Sequence, residues 1–325
     1  MTESTTAPLA LGVDLGGTST VCALVAQTGE ILATQQAPTP AQRGGEAVVA
    51  TALSVAEQTA DCAEGRERVA AVGIAAPGPV DFDRGELRSD PGNIPGLKQQ
   101  PLRRRFQQQF DVPVFLENDV NAACYGEWRC GAGRGARILA CVTLGTGVGG
   151  AFIADGRLHR GASCYAGEVG HIILQAGGPE CWCGGRGCFE ALAGLRGIAR
   201  LARQAAAEHP DSLLAVPPAS PDDVSVVRGL FAAAEQGDGV AQQVVDRVAQ
   251  YVALGLGSLM HVLDPDRVLL GGGTSQAGET LWAPLRRHLE AERLRRPWCQ
   301  TEVLPTALGA NSGVVGAAIL ALDSA

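Results

Sequence analysis

The chain has 325 residues, of which 46% are hydrophobic and 18% charged, and its formal net charge is −8. That length exceeds the size at which one hydrophobic core stops growing, so two domains are expected. The acidic balance argues against nucleic acid as the main partner, because neutralising phosphates requires a basic face. The first ten residues lack the basic and apolar regions of a signal peptide, and seven of the ten cysteines stand singly, so we expect a cytoplasmic protein with free thiols.

Apolar strands alternate with helices along the whole chain, which predicts an α/β fold. Strands are predicted at 9–15, 20–25, 30–36, 69–75, 112–116, 138–144, 148–154, 267–270 and 301–304. Helices are predicted at 45–62, from 118 or 119 to 128, at 189–208, 222–236, 239–263, from the glycines at 271–273 to about 295, and at 310–322. The most apolar segment, Val244 to Leu263, contains Asp246 and Arg247, which favours a buried helix over a membrane span.

Two glycine-rich turns, D-L-G-G-T-S-T and T-L-G-T-G-V-G-G, lie about 130 residues apart and each joins a buried strand to a return strand. They are either two ordinary hairpins or, as their pairing favours, the openings of two related halves. Backbone N–H groups in such turns can bind phosphate, a nearby carboxylate can hold Mg²⁺ through water, and a third glycine cluster can lie against adenine. The candidate nucleotide-binding residues are Asp14, Gly16, Gly17, Thr18, Gly145, Thr146, Gly147, Gly271, Gly272 and Gly273.

The single lysine, Lys98, lies outside any glycine-rich loop. A P-loop and a protein-kinase fold each need a lysine at a defined position, and neither motif is present. A nucleotide would therefore be bound by some other apparatus.

The segment from Gly167 to Glu190 places His171, Cys181, Cys183 and Cys188 within 18 residues. Three thiolates and one imidazole complete a tetrahedral zinc shell with no open position, which indicates a structural metal. Disulfides and inert packing are the alternatives. Cys181 and Cys183 are separated by one residue and are poorly placed to pair, so zinc is favoured.

The motifs D-L-G-G-T at 14–18, L-G-T-G-V-G-G at 144–150, E-V-G-H at 168–171 and C-x-C-G-x-x-G-C-x-E at 181–190 resemble those of the ROK family. That family comprises sugar kinases and sugar-responsive repressors. The resemblance extends from about residue 9 to 322, is closest to the glucose-phosphorylating members, and is most specific in the cysteine signature. The first glycine motif is shared more widely with hexokinases.

The resemblance implies the duplicated actin-like ATPase (ribonuclease H-like) fold, with two lobes around a nucleotide and sugar cleft. The implied small lobe comprises residues 1–118 and 310–325, and the large lobe, with the zinc loop, residues 119–309. It also implies a homodimer or higher homo-oligomer. The assignment of His171 as the fourth zinc ligand rests on this resemblance more than on its spacing.

Asp119 is the expected catalytic base, because a carboxylate can orient an attacking hydroxyl and accept its proton. Taken alone, Asn118-Asp119 after a predicted strand is typical of a helix cap. With the resemblance, E-N-D at 117–119 matches the catalytic element of ROK kinases, and capping and catalysis can coexist.

The expected sugar-binding residues offer paired donors and acceptors to sugar hydroxyls. By resemblance they are Gly78, Asn93, Asn118, Asp119, Glu168, His171 and Glu190, with His171 also binding zinc. For Glu190 the alternative is a solvated carboxylate at a helix start, and for Asn93 a turn-former.

These motifs together predict ATP-dependent phosphorylation of a hexose at its 6-hydroxyl, with glucose as the expected substrate and ATP, Mg²⁺ and a structural Zn²⁺ as cofactors. Kinases of N-acetylmannosamine, N-acetylglucosamine and fructose share the motifs, and polyphosphate is a less favoured donor. A ROK transcriptional regulator is a further alternative. It would need a helix-turn-helix domain, and only about eight residues precede the first predicted strand.

Overall fold

The computed structural model describes residues 7–62, 66–214, 222–294 and 300–325. The strands are β1 (Leu9–Leu15), β2 (Ser19–Ala26), β3 (Ile31–Pro38), β4 (Val69–Ala76), β5 (Val80–Asp81), β6 (Glu86–Leu87), β7 (Val114–Asn118), β8 (Ile138–Leu144), β9 (Val148–Ala154), β10 (Arg157–Leu158), β11 (Arg267–Gly271) and β12 (Glu302–Pro305). The helices are α1 (Gly45–Asp61), α2 (Leu102–Phe110), α3 (Asp119–Cys130), α4 (Phe189–Ala193), α5 (Leu195–Glu208), α6 (Asp223–Glu235), α7 (Gly239–Leu263), α8 (Glu279–Leu294) and α9 (Ser312–Ser324).

The first compact unit contains the described residues of Met1–Ala136, Ala151–Ala166 and Thr306–Ala325. Its sheet has the order β3-β2-β1-β4-β7, with β1 antiparallel to β2 and parallel to β4, and β4 parallel to β7. Apolar side chains of β1, β4 and β7 are buried with those of α1 and α2 in one core. Because β1, β4 and β7 are parallel, their carboxyl ends meet at one edge, where α/β folds place ligands.

The C-terminal helix α9 returns to this first unit and packs with α3, β1 and β4. Its start is tied to α3 by Glu127, a fully buried carboxylate. Glu127 accepts hydrogen bonds from the N–H groups of Ala307 and Leu308 and from the hydroxyl of Ser312. A buried charge needs such partners to offset its lost hydration, so Glu127 fixes where α9 begins.

The second compact unit contains the described residues of Arg137–Gly150 and Gly167–Pro305. The second sheet has the order β10-β9-β8-β11-β12, with β8, β11 and β12 parallel, and β9 continues from the second unit into the first. This order repeats that of the first sheet: a hairpin at one side, then two further parallel strands. The repeat confirms the prediction of two related halves and the α/β class.

The predicted helix at 189–208 is wrong in one respect, because it is broken into α4 and α5. Gly194, between them, has extended backbone angles (φ −74°, ψ 167°), and these end one helix before the next begins. Helix α2 and strands β5, β6 and β10 were not predicted, and the last residue of the helix expected to reach 295 lies outside the described residues. The lobe boundaries at 118 and 309 stay a prediction.

Helix α7 contains the apolar segment that favoured a buried helix, and most of its apolar side chains are buried. Asp246 in that helix pairs with Arg287 and His288 of α8. No helix in the described part of the chain has the length and apolar character needed to traverse a lipid bilayer.

Candidate functional site

Asn118 and Asp119 lie where β7 ends and α3 begins. Asn118 is the N-cap of α3, since its Oδ1 accepts hydrogen bonds from the N–H groups of Val120 and Asn121 at 3.0 Å each. Its Nδ2 donates to the carbonyl of Gly78 at 3.0 Å and to Oδ1 of Asp119 at 2.9 Å. The structure thus confirms the capping interpretation for Asn118 and brings three predicted site residues into direct contact.

Glu117 and Arg160, which were not predicted as site residues, hold the junction of β7 and α3 in place. The carboxylate of Glu117 is buried and binds both the guanidinium of Arg160 and the backbone N–H of Asn118. The two charged residues are 43 positions apart, so no local spacing reveals the pair. The only available signal was the position of Glu117 in the E-N-D motif.

Asp14 lies at the carboxyl end of β1, just before the turn formed by Gly16, Gly17 and Thr18. Burial, followed by the negative charge of Asp119, raises the pKa of Asp14 to about 7 from its usual 3.8. Two predicted site carboxylates are therefore electrostatically coupled in the first unit. A bound cation at Asp14 would favour its ionised form.

Asn93 lies beside the first glycine turn. A β-carbon built on Gly17 would come within 2.5 Å of the Asn93 side-chain nitrogen. The structure therefore brings a residue predicted to bind sugar next to one predicted to bind phosphate. The carbonyl of Thr18 accepts a hydrogen bond from the N–H of Thr39 at 2.9 Å, which ties this turn to the end of β3.

The second glycine turn, at 145–147, is fixed by Glu190 from the first turn of α4. Oε2 of Glu190 accepts a hydrogen bond from the N–H of Val148 at 2.9 Å. The carboxylate approaches so closely that a β-carbon on Gly147 would lie 2.2 Å from it, so a side chain there would displace the carboxylate. Glu190 is consequently part of a hydrogen-bonded network and does not simply extend into solvent.

Two further contacts complete the surroundings of this turn. The carbonyl of Gly145 accepts a hydrogen bond from the N–H of Leu195 at the start of α5, at 3.0 Å, and Thr146 occupies the tip. Gly271 pairs with Thr143 in the sheet, Gly272 packs against the backbone of Leu144, and Gly273 begins a short 3-10 helix. The second and third glycine clusters therefore lie at the ends of the neighbouring strands β8 and β11.

The metal candidate is the set formed by His171, Cys181, Cys183 and Cys188, whose ligand atoms all lie within 4.8 Å of one another. Sγ of Cys183 is 3.8 Å from Sγ of Cys188, and Sγ of Cys181 is 3.6 Å from Nδ1 of His171. Tetrahedral zinc with Zn–S bonds of about 2.3 Å separates its ligand atoms by about 3.8 Å. The four side chains therefore fit zinc in donor type and in spacing.

The thiols of this set differ in their surroundings. Burial raises the pKa of Cys188 to about 12, whereas the backbone N–H of Gly185 is the main cause that lowers the pKa of Cys183. A coordinating metal deprotonates thiols outright, so a bound zinc would override this difference.

Glu168 immediately precedes a single turn of 3-10 helix, Val169–His171, and His171 is the last residue of that turn. Nε2 of His171 lies 3.9 Å from a carboxylate oxygen of Glu168, while its Nδ1 faces Cys181. The imidazole of His171 therefore directs Nδ1 to the cysteine set and Nε2 towards Glu168.

Trp182, between two of the cysteines, contacts both His171 and Glu190 and was not predicted. Its indole ring meets the imidazole edge-on, with 5.1 Å between ring centres, and its Nε1–H donates to Oε1 of Glu190. One exposed aromatic side chain thus bridges two residues predicted to bind sugar.

Comparison with known proteins decides the family. The model of the ROK family matches residues 10–324. The chain belongs to the ROK family. It is 37% identical over 309 residues to a glucokinase of Thermotoga maritima, with 95% of each chain covered.

Solved ROK structures match nearly the whole chain. A ROK family glucokinase from Streptomyces griseus, in complex with glucose and AMPPNP, matches with a TM-score of 0.82 and 35% identity, covering 97% of this chain and 99% of that one. A ROK hexokinase from Thermus thermophilus matches with a TM-score of 0.81 and 36% identity, covering 97% and 98%. The resemblance seen in the motifs is confirmed, and the fold is the actin-like ATPase fold of ROK proteins.

Proposed function

We propose that this ROK protein transfers the γ-phosphoryl group of ATP to the 6-hydroxyl of glucose. The observation that carries the proposal is identity of 35% or more, over nearly the full length, to ROK enzymes named glucokinase, one of them solved with glucose and AMPPNP. The arrangement of Asn118 and Asp119 at the carboxyl end of β7 supports it. Because α/β folds bind ligands at the carboxyl ends of parallel strands, a base at this position could reach a bound hydroxyl.

Asp119 is proposed as the catalytic base. It would orient the sugar hydroxyl and accept its proton while the oxygen attacks the γ-phosphorus and the bond to the bridging oxygen of ADP breaks. Hydrogen bonds from Asn118 Nδ2 and the N–H of Val120, both 2.9 Å long, hold Oδ1 of Asp119 in place. Such fixing lowers the reorganisation needed during transfer.

The sugar contacts are proposed for Gly78, Asn93, Asn118, Glu168, His171 and Glu190. Carboxylates accept and amides both donate and accept, which suits hydroxyls that do both. Glu190 already accepts hydrogen bonds from Val148 and Trp182, and a carboxylate has capacity for further donors.

The nucleotide contacts are proposed for the three glycine clusters, with Mg²⁺ held near Asp14. Backbone N–H groups in the turns at 16–18 and 145–147 would bind phosphate oxygens, and the glycines at 271–273 would leave space for adenine. Mg²⁺ would neutralise charge developing on the phosphates, and its positive charge would keep Asp14 ionised.

A structural zinc is proposed at His171, Cys181, Cys183 and Cys188. With its shell complete, the metal has no position for substrate, so what it supplies is rigidity of the loop that carries Glu168, His171 and Glu190. We place the reaction in the cytoplasm, where thiolate ligands stay reduced, and propose a homodimer or larger homo-oligomer.

The test is ADP release over a panel of glucose, N-acetylmannosamine, N-acetylglucosamine and fructose, with ATP and then polyphosphate as donor. We expect glucose with ATP to give the highest kcat/KM. Faster turnover of another sugar would replace glucose as the substrate, and no turnover with any of them, together with a DNA gel shift at physiological salt, would favour the regulator.

The matched variant is Asp119→Ala. Loss of a general base costs roughly 10²- to 10⁴-fold in rate, so phosphorylation should fall by that amount. Calorimetry should still detect glucose binding, because Asn118 and Glu168 remain. Full activity in this variant would contradict the role of Asp119.

A further inference from the structure

Glu117 carries a negative charge at a position where water cannot stabilise it. Its side chain is 1% exposed and lies directly before the Asn118-Asp119 element at the end of β7. A buried carboxylate is costly unless it is paired and hydrogen-bonded. Partners of Glu117 must therefore offset the hydration that its carboxylate loses on burial.

The two oxygens of Glu117 have separate partners. Oε2 accepts hydrogen bonds from Nε and Nη2 of Arg160, both at 2.6 Å. Oε1 accepts from the backbone N–H of Asn118 at 2.9 Å and from Nδ2 of Asn121 at 3.0 Å. One side of the carboxylate is thus held by a cation, while the other side holds the first turn of α3.

The guanidinium of Arg160 is itself fixed in orientation. Its central carbon lies 4.1 Å from the ring centre of Phe82, and Phe82 stacks on Phe115 of β7 with 6.0 Å between ring centres. A planar guanidinium can stack on an aromatic face and donate two hydrogen bonds at once, which a lysine ammonium cannot. The site is therefore built for arginine.

The contacts form a continuous series from Arg160 to the proposed base. Arg160 binds Glu117, Glu117 binds the N–H of Asn118, and Nδ2 of Asn118 binds Oδ1 of Asp119 and the carbonyl of Gly78. All of these residues belong to the first unit. A shift of Glu117 would consequently move the side chain that orients Asp119.

We propose that Arg160 and Glu117 are positioning residues for phosphoryl transfer, which hold Asn118 and Asp119 in the orientation that the reaction needs. The inference rests on the proposed kinase function for its kinetic consequence. Neither Arg160 nor Glu117 is a proposed contact of the sugar or of the nucleotide.

The test compares Arg160→Ala with Arg105→Ala. Arg105 is a matched control in the same unit: its side chain is 26% exposed against 27% for Arg160, and it binds both carboxylate oxygens of Glu46 at 2.9 Å. Misplacement of a reacting group by about 1 Å costs up to about 10²-fold in rate, so kcat of Arg160→Ala should fall roughly 10- to 100-fold. Glucose affinity of Arg160→Ala should fall less than its kcat, because Asn118 is one of six proposed sugar contacts. Arg105→Ala should keep both its kcat and its glucose affinity.

Rescue separates positioning from a general loss of structure. Guanidinium at millimolar, non-denaturing concentration should restore part of the kcat of Arg160→Ala and leave Arg105→Ala unchanged. If Arg160→Ala does not fold, Arg160→Lys and Glu117→Gln serve instead. Arg160→Lys keeps the positive charge but lacks the planar guanidinium, and we expect both variants to lose more in kcat than they gain in KM.

A readout without turnover keeps this inference distinct from the proposed function. In protein labelled with ¹⁵N-asparagine, the side-chain amide signal of Asn118 should shift in Arg160→Ala and stay in place in Arg105→Ala. If Arg160→Ala keeps the kcat of the wild type and its Asn118 signal does not move, the inference is overturned. A wild-type protein without kinase activity would overturn the proposed function, while the Asn118 signal would still decide whether the pair positions that residue.

Discussion

Asp14 and Asp119 are acidic residues of one unit, and the charge of Asp119 disfavours the ionisation of Asp14. The raised pKa of Asp14, about 7, comes first from burial and then from Asp119. A cation bound at Asp14 would therefore stabilise the conformation that brings these two side chains together. Such strain at a site is typical of residues that bind a charged ligand.

The pH dependence of stability should reveal Asp14. Its folded pKa lies above the usual 3.8, so between pH 4 and 7 the folded chain keeps a proton that the unfolded chain releases. The free energy of unfolding should therefore fall as pH rises through this window and level off above pH 7. A rise from 3.8 to about 7 corresponds to about 4 kcal/mol, at about 1.4 kcal/mol for each tenfold change.

The measurement is denaturant unfolding without Mg²⁺ or nucleotide, from pH 4 to pH 8, for wild type and Asp14→Asn. The neutral amide cannot ionise, so the variant should gain stability relative to wild type across that range. Asp111→Asn, at an exposed carboxylate, is the control and should follow the wild type. Parallel curves for wild type and Asp14→Asn would show that Asp14 ionises normally.

Close backbone contacts place helix α9 beside the elements that carry Asp14 and Asp119. A β-carbon on Gly316 of α9 would lie 1.7 Å from the carbonyl oxygen of Ala122 in α3. The helices can therefore approach only because this position lacks a side chain. Since α3 begins at Asp119, the packing of α9 also bears on the proposed base.

Gly316→Ala should destabilise the first unit. Overpacking a tight contact costs about 1–3 kcal/mol, and the clash is with backbone, which cannot turn away. Gly229→Ala in α6 is the control, because no atom lies within 4 Å of its added methyl group. That variant should gain roughly 0.5–1 kcal/mol from helix propensity. Chemical denaturation of both proteins measures the difference, and equal stabilities would contradict the close-contact argument.

The sequence predicted elements where apolar runs are bounded by clear turn signals. Strands β1, β4, β8 and β9 and helix α7 appear within a residue of their predicted limits, because burial selects the same apolar runs. Helix α2 was missed because its sequence, L-R-R-R-F-Q-Q-Q-F, is dominated by polar residues, and only Leu102 and Phe106 of this helix are buried.

The candidate site was predictable where it is local in sequence. The spacing of Cys181, Cys183 and Cys188 predicted the metal candidate, and the E-N-D motif predicted the role of Asp119. The pairing of Glu117 with Arg160 was not predictable, because it depends on which loop the fold brings to β7. The contact of Glu190 with Val148, 42 residues away, was hidden for the same reason.

At the scale of the whole molecule, the proposed roles divide between the two compact units. Asp14, Asn118 and Asp119 belong to the first unit, while Glu168, His171, Glu190 and the cysteine set belong to the second. The proposed base is thus assigned to the first unit, whereas the proposed sugar contacts are divided equally between the two units. A substitution that disturbs only one unit should therefore have an effect that can be measured separately from the behaviour of the other unit.

Loss of zinc is such a disturbance, and Cys183→Ser is the variant that produces it cleanly. His171 is unsuitable, because it is also a proposed sugar contact, whereas Cys183 has no role beyond the metal. Cys62→Ser is the control, since that thiol lies outside the cluster. Metal analysis should find one zinc in wild type and Cys62→Ser and none in Cys183→Ser.

Because folding of a metal loop and binding of its metal are coupled, calorimetry should show that Cys183→Ser unfolds its second unit at a lower temperature. The transition of the first unit should stay in place. Glucose affinity should fall together with the zinc, since the loop that carries Glu168, His171 and Glu190 loses its brace, and a chelator should reproduce both effects in wild type. Zinc-free protein with unchanged glucose affinity would show that the metal stabilises the loop without organising the sugar site.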